Sequence, residues 1–339
     1  MGSEKGEVSE SRRVQFTGSA SFIVTLPKEW CKRVGLKRGD KLSVTEQPDG
    51  SLQVATSART EPEPRVADIR IDAHSDPQSL MRIFISKYLA GYQLFRFSSA
   101  QSMPLELRRV ITSQASGLIG LEVLEETDKT VEIQDLLSPE ELTVEKAVRR
   151  AHLVASSMCE TILNALETRN RRMAEDVIER EPSVDRLYFL ILRQLTSALQ
   201  NPGLLKNLGI KTVEAMDYQM LAKSIERIAD HASRIGKMIL ETNMDMVEGE
   251  ILQSLVQVGR QANGINRDAM KAFFTKDVQL ANTAVGVKDG VESTLIPLNE
   301  KLIKRQGEGS VNLRIITDSI ERIADYGANM AEIAIDRNR

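Results

Sequence analysis

The sequence predicts a mainly α chain in which two tandem three-helix bundles follow a small α/β domain and an N-terminal β-rich domain. Three observations lead there. From Ser138 to Arg339 apolar residues recur at three- and four-residue spacing, as in Leu187, Leu190, Ile191, Gln194, Leu195 and Ala198, the signature of helices with one buried face. The heptapeptide Ser224-Ile225-Glu226-Arg227-Ile228-Ala229-Asp230 returns as Ser319-Ile320-Glu321-Arg322-Ile323-Ala324-Asp325, 95 residues on, so the helical unit occurs twice. Aromatic residues make up only 4% of the chain, too few for a mostly β protein.

Size and composition narrow the class further. A chain of 339 residues exceeds one ordinary core and predicts two or three domains. With 41% hydrophobic and 27% charged residues it is neither disordered nor fibrous. Its longest apolar runs, such as Phe189 to Leu192, fall far short of a membrane span, and Met1 to Glu10 lack a signal-peptide pattern, so a cytoplasmic protein without membrane insertion is expected. Two cysteines (Cys31, Cys159) and three scattered histidines (His74, His152, His231) speak against disulfide, zinc and imidazole chemistry. The net charge of −3 is unevenly spread: residues 11–46 carry eight Lys/Arg against three Asp/Glu. Such a basic N-terminus fits nucleic acid, and equally an ordinary solvated surface.

The N-terminal domain is expected over residues 1–55. Phe22, Val24 and Leu26 alternate with Ser21, Ile23 and Thr25 as a strand that Pro27 stops. Lys28 to Val34 form a short helix with Pro27 at its start and Gly35 as its cap. Lys41 to Glu46 and Ser51 to Ala55 are strands around a Pro48-Asp49-Gly50 turn. Some 45 residues (Arg12 to Ala55) make a core too small to stand comfortably alone. Val14, the Gly18 to Phe22 loop, the run Ile23 to Trp30, Gly35-Leu36-Lys37-Arg38-Gly39-Asp40-Lys41 and Asp49-Gly50-Ser51-Leu52 together resemble an AbrB/SpoVT-type swapped-hairpin domain. That resemblance implies an intertwined homodimer that binds double-stranded DNA, and it nominates Arg12, Arg13, Lys28, Lys32 and Arg33 as DNA-facing.

A charged linker with Glu61-Pro62-Glu63-Pro64 is expected over residues 56–65. The small α/β domain (66–137) reads as β-α-β-α-β-β: strand Val66 to Ile71, helix Pro77 to Ala90, strand Gln93 to Phe97, helix Pro104 to Ser116, and strands Leu121 to Glu125 and Thr130 to Gln134. It shows no glycine-rich phosphate loop and no nucleophile constellation, so its expected role is that of a spacer or dimer contact. Six helices follow, near 140–168, 172–200, 213–243, 248–275, 277–305 and 310–337, with Asn201-Pro202-Gly203 and Gly307-Glu308-Gly309 as breaks. They form bundle one (138–245) and bundle two (246–339).

Within each third helix a Glu and an Asp lie four apart and share one face, away from the apolar stripe of Ile225, Ile228, Ala232, Ile235 and Ile239, which predicts outward-pointing acids. Adjacent carboxylates repel unless a cation or an arginine lies between them, and oxygen ligands suit hard divalent or iron-type cations. Two readings stay open: a metal site, or a solvated face neutralised by Arg227 or Lys223, with Arg227 and Arg322 alternatively bridging acids on the next helix. In the second helices Val184-Asp185 answers Val291-Glu292 at a spacing of 107.

The repeated heptapeptide inside a repeated three-helix unit strongly resembles PhoU, the regulator of phosphate uptake. The resemblance implies surface metal clusters at Glu226 and Asp230 with Asp185, joined by Glu181, and at Glu321 and Asp325 with Glu292, joined by Asp289. Lys288 stands where Glu181 aligns, and Pro182 follows Glu181, which predicts a bend. The whole order of domains is similar to that of archaeal PhoU-domain regulators. It implies a non-enzymatic, homodimeric transcriptional regulator whose bundles sense metal, phosphate status or a partner. The alternative is an adaptor that contacts phosphate-transport or signalling proteins without binding DNA. A metal-dependent hydrolase has no general base or nucleophile to support it.

Overall fold

A computed structural model of the chain describes residues 10–18, 21–46, 50–56, 64–72, 74–137, 142–201, 204, 210–304 and 309–337. The chain divides into two compact units, Met1–Glu63 and Pro64–Arg339.

In the first unit β1 (Gln15–Thr17) pairs with β2 (Ser21–Ile23), and β3 (Leu42–Glu46) pairs with β4 (Leu52–Thr56), both antiparallel, with α1 (Lys28–Arg33) between the hairpins. The strand expected to run to Leu26 ends at Ile23, where the three-residue β1 runs out of pairing partners. Gly35 takes φ +66°, the left-handed conformation that ends α1 at low cost. Pro48 and Asp49 of the expected turn lie outside the described residues. None of the described residues of this unit is buried, and Phe16, Phe22, Val24, Val44 and Leu52 are all more than half exposed.

The second unit begins with the α/β layer. A four-stranded sheet of order β5-β6-β8-β7 is built from β5 (Val66–Ile71), β6 (Leu94–Ser99), β7 (Leu121–Glu126) and β8 (Thr130–Asp135). β5 and β6 run parallel and β8 runs antiparallel to both its neighbours. Alternation along β5 sends Ala67, Ile69 and Ile71 inward, where α2 (Pro77–Leu89) and α3 (Leu105–Ser116) cover them. Phe84 of α2 meets Phe95 and Phe97 edge-on at 5.0 Å each. On the opposite face Arg96 lies 2.6 Å from Glu132 and 3.5 Å from Asp68, a cross-strand charge ladder.

Six long helices complete the unit: α4 (Val144–Thr168), α5 (Arg171–Gln200), α6 (Thr212–Glu241), α7 (Gly249–Thr275), α8 (Val278–Lys304) and α9 (Ser310–Asp336), with a short 3-10 turn at Met244–Met246. Pro182 lies inside α5 without ending it. The two repeats share one continuous hydrophobic core, distinct from that of the α/β layer. Their equivalence is visible in the backbone. Arg169 and Lys276, 107 apart, end α4 and α7 in the left-handed conformation with φ 56° each. Two pairs of equivalent residues touch each other: Ser156 and Asn263 exchange hydrogen bonds of 3.2 and 3.3 Å, and the rings of His231 and Tyr326 stack at 5.9 Å. These contacts lie where α4 packs against α7 and α6 against α9.

Arg193 fastens the α/β layer to the bundles. Buried on α5, it donates to the carbonyl oxygens of Tyr88 and Tyr92 and lies 2.5 Å from the Asp135 carboxylate, itself nearly buried. No helix of the described residues is long and apolar enough to cross a membrane.

Candidate functional site

The acids singled out by the repeat lie in the seam between α5 and α6. Glu181 and Asp185 stand one turn apart on α5, Glu226 and Asp230 one turn apart on α6. Carboxylate oxygens of Glu181, Asp185 and Asp230 all fall within 4.8 Å of one another. Glu226 stands beside this group, 2.9 Å from Lys223 and 3.6 Å from Arg227. Arg227 also reaches Asp230 at 3.0 Å. Among the described residues no basic side chain forms an ion pair with Glu181 or Asp185.

That imbalance has an electrostatic cost. Burial first, then the charges of Glu181, Glu226 and Asp230, push the Asp185 carboxyl up to about 7. Glu181 is raised by burial and by Asp230 beside it. Three oxygen donors carrying surplus negative charge fit a hard cation, which would relieve both the repulsion and the desolvation. Glu181, Asp185 and Asp230 would hold it, with Glu226 flanking.

The equivalent seam between α8 and α9 is wired differently. Lys288 Nζ lies 2.9 Å from Asp325 and 3.4 Å from Glu292, between the two helices. Arg322 reaches Asp325 at 3.3 Å, as Arg227 reaches Asp230 in the first repeat. Burial and Asp325 raise the Glu321 carboxyl. The seams differ at two positions: Lys288 stands where Glu181 does, and Asp318, which lies 3.7 Å from Arg234 of α6, stands where Lys223 does. In the first seam Lys223 lies to one side against Glu226, whereas in the second Lys288 lies between Glu292 and Asp325.

Two expectations change accordingly. The acids do not point freely outward: the Glu226 side chain is 12% exposed, because α5 packs along the same edge of α6. Arg227 and Arg322 bridge acids of their own helices, not of the neighbouring ones. Glu181 belongs to the centre of the first cluster and Glu226 to its edge. Lys288 was the sequence-level signal that the second cluster differs. Among the described residues Asp289 forms no ion pair with that cluster, and its carbonyl accepts from Ser293.

In the N-terminal unit Arg12, Arg13, Lys28, Lys32 and Arg33 are all exposed. Lys28 and Lys32 share one face of α1 by their spacing. Lys32 pairs with Glu29 at 3.1 Å and Arg12 with Glu10. No ion pair or hydrogen bond among the described residues joins Arg12 or Arg13 to α1.

Comparison with known proteins decides the family. The PhoU domain family model matches residues 148–239 and 255–334, together half of the chain. The chain belongs to the PhoU family. The model for antidote-toxin recognition MazE, a bacterial antitoxin, matches residues 15–64, the segment read as AbrB/SpoVT-like. The phosphate-specific transport system accessory protein PhoU homolog 1 of Thermotoga maritima is 25% identical over 204 residues, 58% of this chain and 86% of that protein. Its counterpart in Caulobacter vibrioides is 24% identical over 192 residues, 55% of this chain and 82% of that protein. In fold the chain is similar to PhoU from Pseudomonas aeruginosa (TM-score 0.53, 18% identity, 58% of this chain and 96% of that one). It is also similar to the phosphate transport system regulatory protein PhoU from Streptococcus pneumoniae (TM-score 0.51, 20% identity, 58% and 94%). The PhoU match begins within α4 and ends within α9, so it takes in both carboxylate seams.

Proposed function

We propose that this chain is a homodimeric, DNA-binding regulator of phosphate uptake without enzymatic activity. Residues 1–55 would bind double-stranded DNA and dimerise, 56–65 link, 66–137 serve as spacer, and the PhoU-like bundles 138–245 and 246–339 sense metal, phosphate status or a partner. The observation that supports this reading is the union of a MazE-type segment with PhoU domains in one chain. The N-terminal segment exposes Arg12, Arg13, Lys28, Lys32 and Arg33. Phosphate contacts release counterions, so affinity for a duplex falls by about 0.9 log units per log unit of salt for each contact. Replacing Lys32 and Arg33 by Gln lowers both affinity and slope in fluorescence-anisotropy titrations; an unchanged slope in a still-assembled variant refutes the DNA role.

The cation site belongs to the same reading. Glu181, Asp185, Glu226 and Asp230 would take a divalent or iron-type ion, magnesium, manganese and iron suiting their oxygen donors. A second reading, an adaptor of phosphate transport acting through protein contacts alone, is favoured by the relatives being named accessory proteins of phosphate-specific transport. Duplex binding by the full chain separates the two.

A further inference from the structure

The two carboxylate seams are related by the repeat, and the family resemblance implies a cation in each. The residues of the second do not fit one. Position 288 answers position 181, as 292 answers 185 and 325 answers 230. Three acids in the first repeat thus correspond to a lysine and two acids in the second. We propose that the Lys288 ammonium is the resident cation of the second bundle, so that this chain takes up metal ions in the first bundle only.

The geometry supports this at each contact. Lys288 Nζ sits 2.9 Å from Asp325 Oδ1 and 3.4 Å from Glu292 Oε1, which places its charge between α8 and α9. A divalent ion bound by Glu292 and Asp325 would have to evict that ammonium or endure its repulsion at contact distance. It would also meet only two of the three acids that converge in the first repeat. The remaining acid, Glu321, has no ion pair with Lys288 and stands by Asp325 on α9. In the first bundle no lysine among the described residues forms an ion pair with Glu181, Asp185 or Asp230: Lys223 lies 2.9 Å from Glu226, and Asp230 is met only by Arg227 of its own helix, as Asp325 is by Arg322. The consequence is functional asymmetry. One half of the bundle pair responds to the ion and the other is held in a fixed, ion-independent arrangement.

The inference rests on the reading of Glu181, Asp185 and Asp230 as a cation site, and the test keeps the two separable. Manganese(II) binding to the full chain is measured by titration calorimetry and by metal analysis after desalting, with helical circular dichroism confirming the fold of each variant. Glu292→Gln with Asp325→Asn is expected to leave manganese capacity at the wild-type level. Asp185→Asn with Asp230→Asn is expected to abolish it. Adding Lys288→Glu to that second variant is expected to restore binding, since it reproduces the acid pattern of the first repeat. Where Lys288→Glu fails to fold, Lys288→Gln in the same background serves, with weaker but measurable uptake expected. Loss of capacity on Glu292→Gln with Asp325→Asn overturns the inference, as does absence of any gain on replacing Lys288. If Asp185→Asn with Asp230→Asn keeps full capacity, or the wild type binds nothing, while replacing Lys288 confers binding, the first-bundle site fails and the lysine's role stands.

Discussion

Arg227 and Arg322 occupy equivalent places in the two heptapeptides and make the same contact, to Asp230 and Asp325 one turn on. The arginines therefore explain why each third helix tolerates its acids, and they do not explain why the two seams differ. That difference turns on Glu181 against Lys288, and its energetic sign is set by Asp185. A carboxyl raised to about 7 in the folded chain ionises near its ordinary value of 3.8 once unfolded. Between those values the folded state holds the extra proton, so stability is greatest below the lower one and falls as pH rises through the upper one. Without divalent ions, thermal melts of the Asp185→Asn chain are expected to show a higher midpoint than wild type at pH 8 and no difference at pH 4. Adding manganese at pH 8 is expected to stabilise the wild type and leave the variant unchanged. The candidate acids themselves were legible in the sequence because a heptapeptide repeated inside one chain marks them. Their half-burial was not, since it depends on how closely α5 packs against α6.

At the scale of elements, α5 carries two unrelated tasks along its 30 residues. Its first half holds Glu181 and Asp185, and its second half holds Arg193, which locks the α/β layer in place through Asp135 and two carbonyls. An arginine whose partners are buried with it cannot be removed cheaply, because Asp135 would be left charged and unpaired. Arg193→Ala is expected to cost about 3–5 kcal/mol in urea denaturation. Arg193→Met with Asp135→Leu is expected to recover part of that loss. Periodicity together with proline and glycine signals places most elements of this unit to within a residue or two: β5 spans Val66–Ile71 as the alternation predicts, α3 begins at Leu105, one residue after the expected Pro104, and β6 runs over Leu94–Ser99 where Gln93 to Phe97 is expected. Arg193 was not legible. It lies with Gln194 amid Leu190, Ile191 and Leu195, where the pattern registers a polar interruption without revealing that its partners lie 58, 101 and 105 residues away.

At the scale of the whole molecule, the two units are stabilised in different ways. The Pro64–Arg339 unit buries two hydrophobic clusters of its own, whereas none of the described residues of the Met1–Glu63 unit is buried. Phe16 and Phe22 pair edge-on at 4.4 Å across the β1/β2 hairpin yet remain 63% and 71% exposed. Apolar faces of that kind gain free energy at about 25 cal/mol per Å² when covered, and within so short a unit the cover must come from outside it. In the proposed homodimer a second copy would supply the same apolar strands in a self-complementary arrangement. Sedimentation of the full chain at micromolar concentration is therefore expected to give at least a dimer. Phe16→Ser with Phe22→Ser is expected to weaken assembly and duplex binding together while helical circular dichroism stays at the wild-type level, because the helices belong almost wholly to the other unit. Deleting residues 1–55 is expected to abolish duplex binding and leave a folded helical protein. A monomeric full chain would show that the N-terminal unit does not complete itself through a second copy, and a truncated one that still binds DNA with wild-type affinity would show that it does not carry the DNA contact.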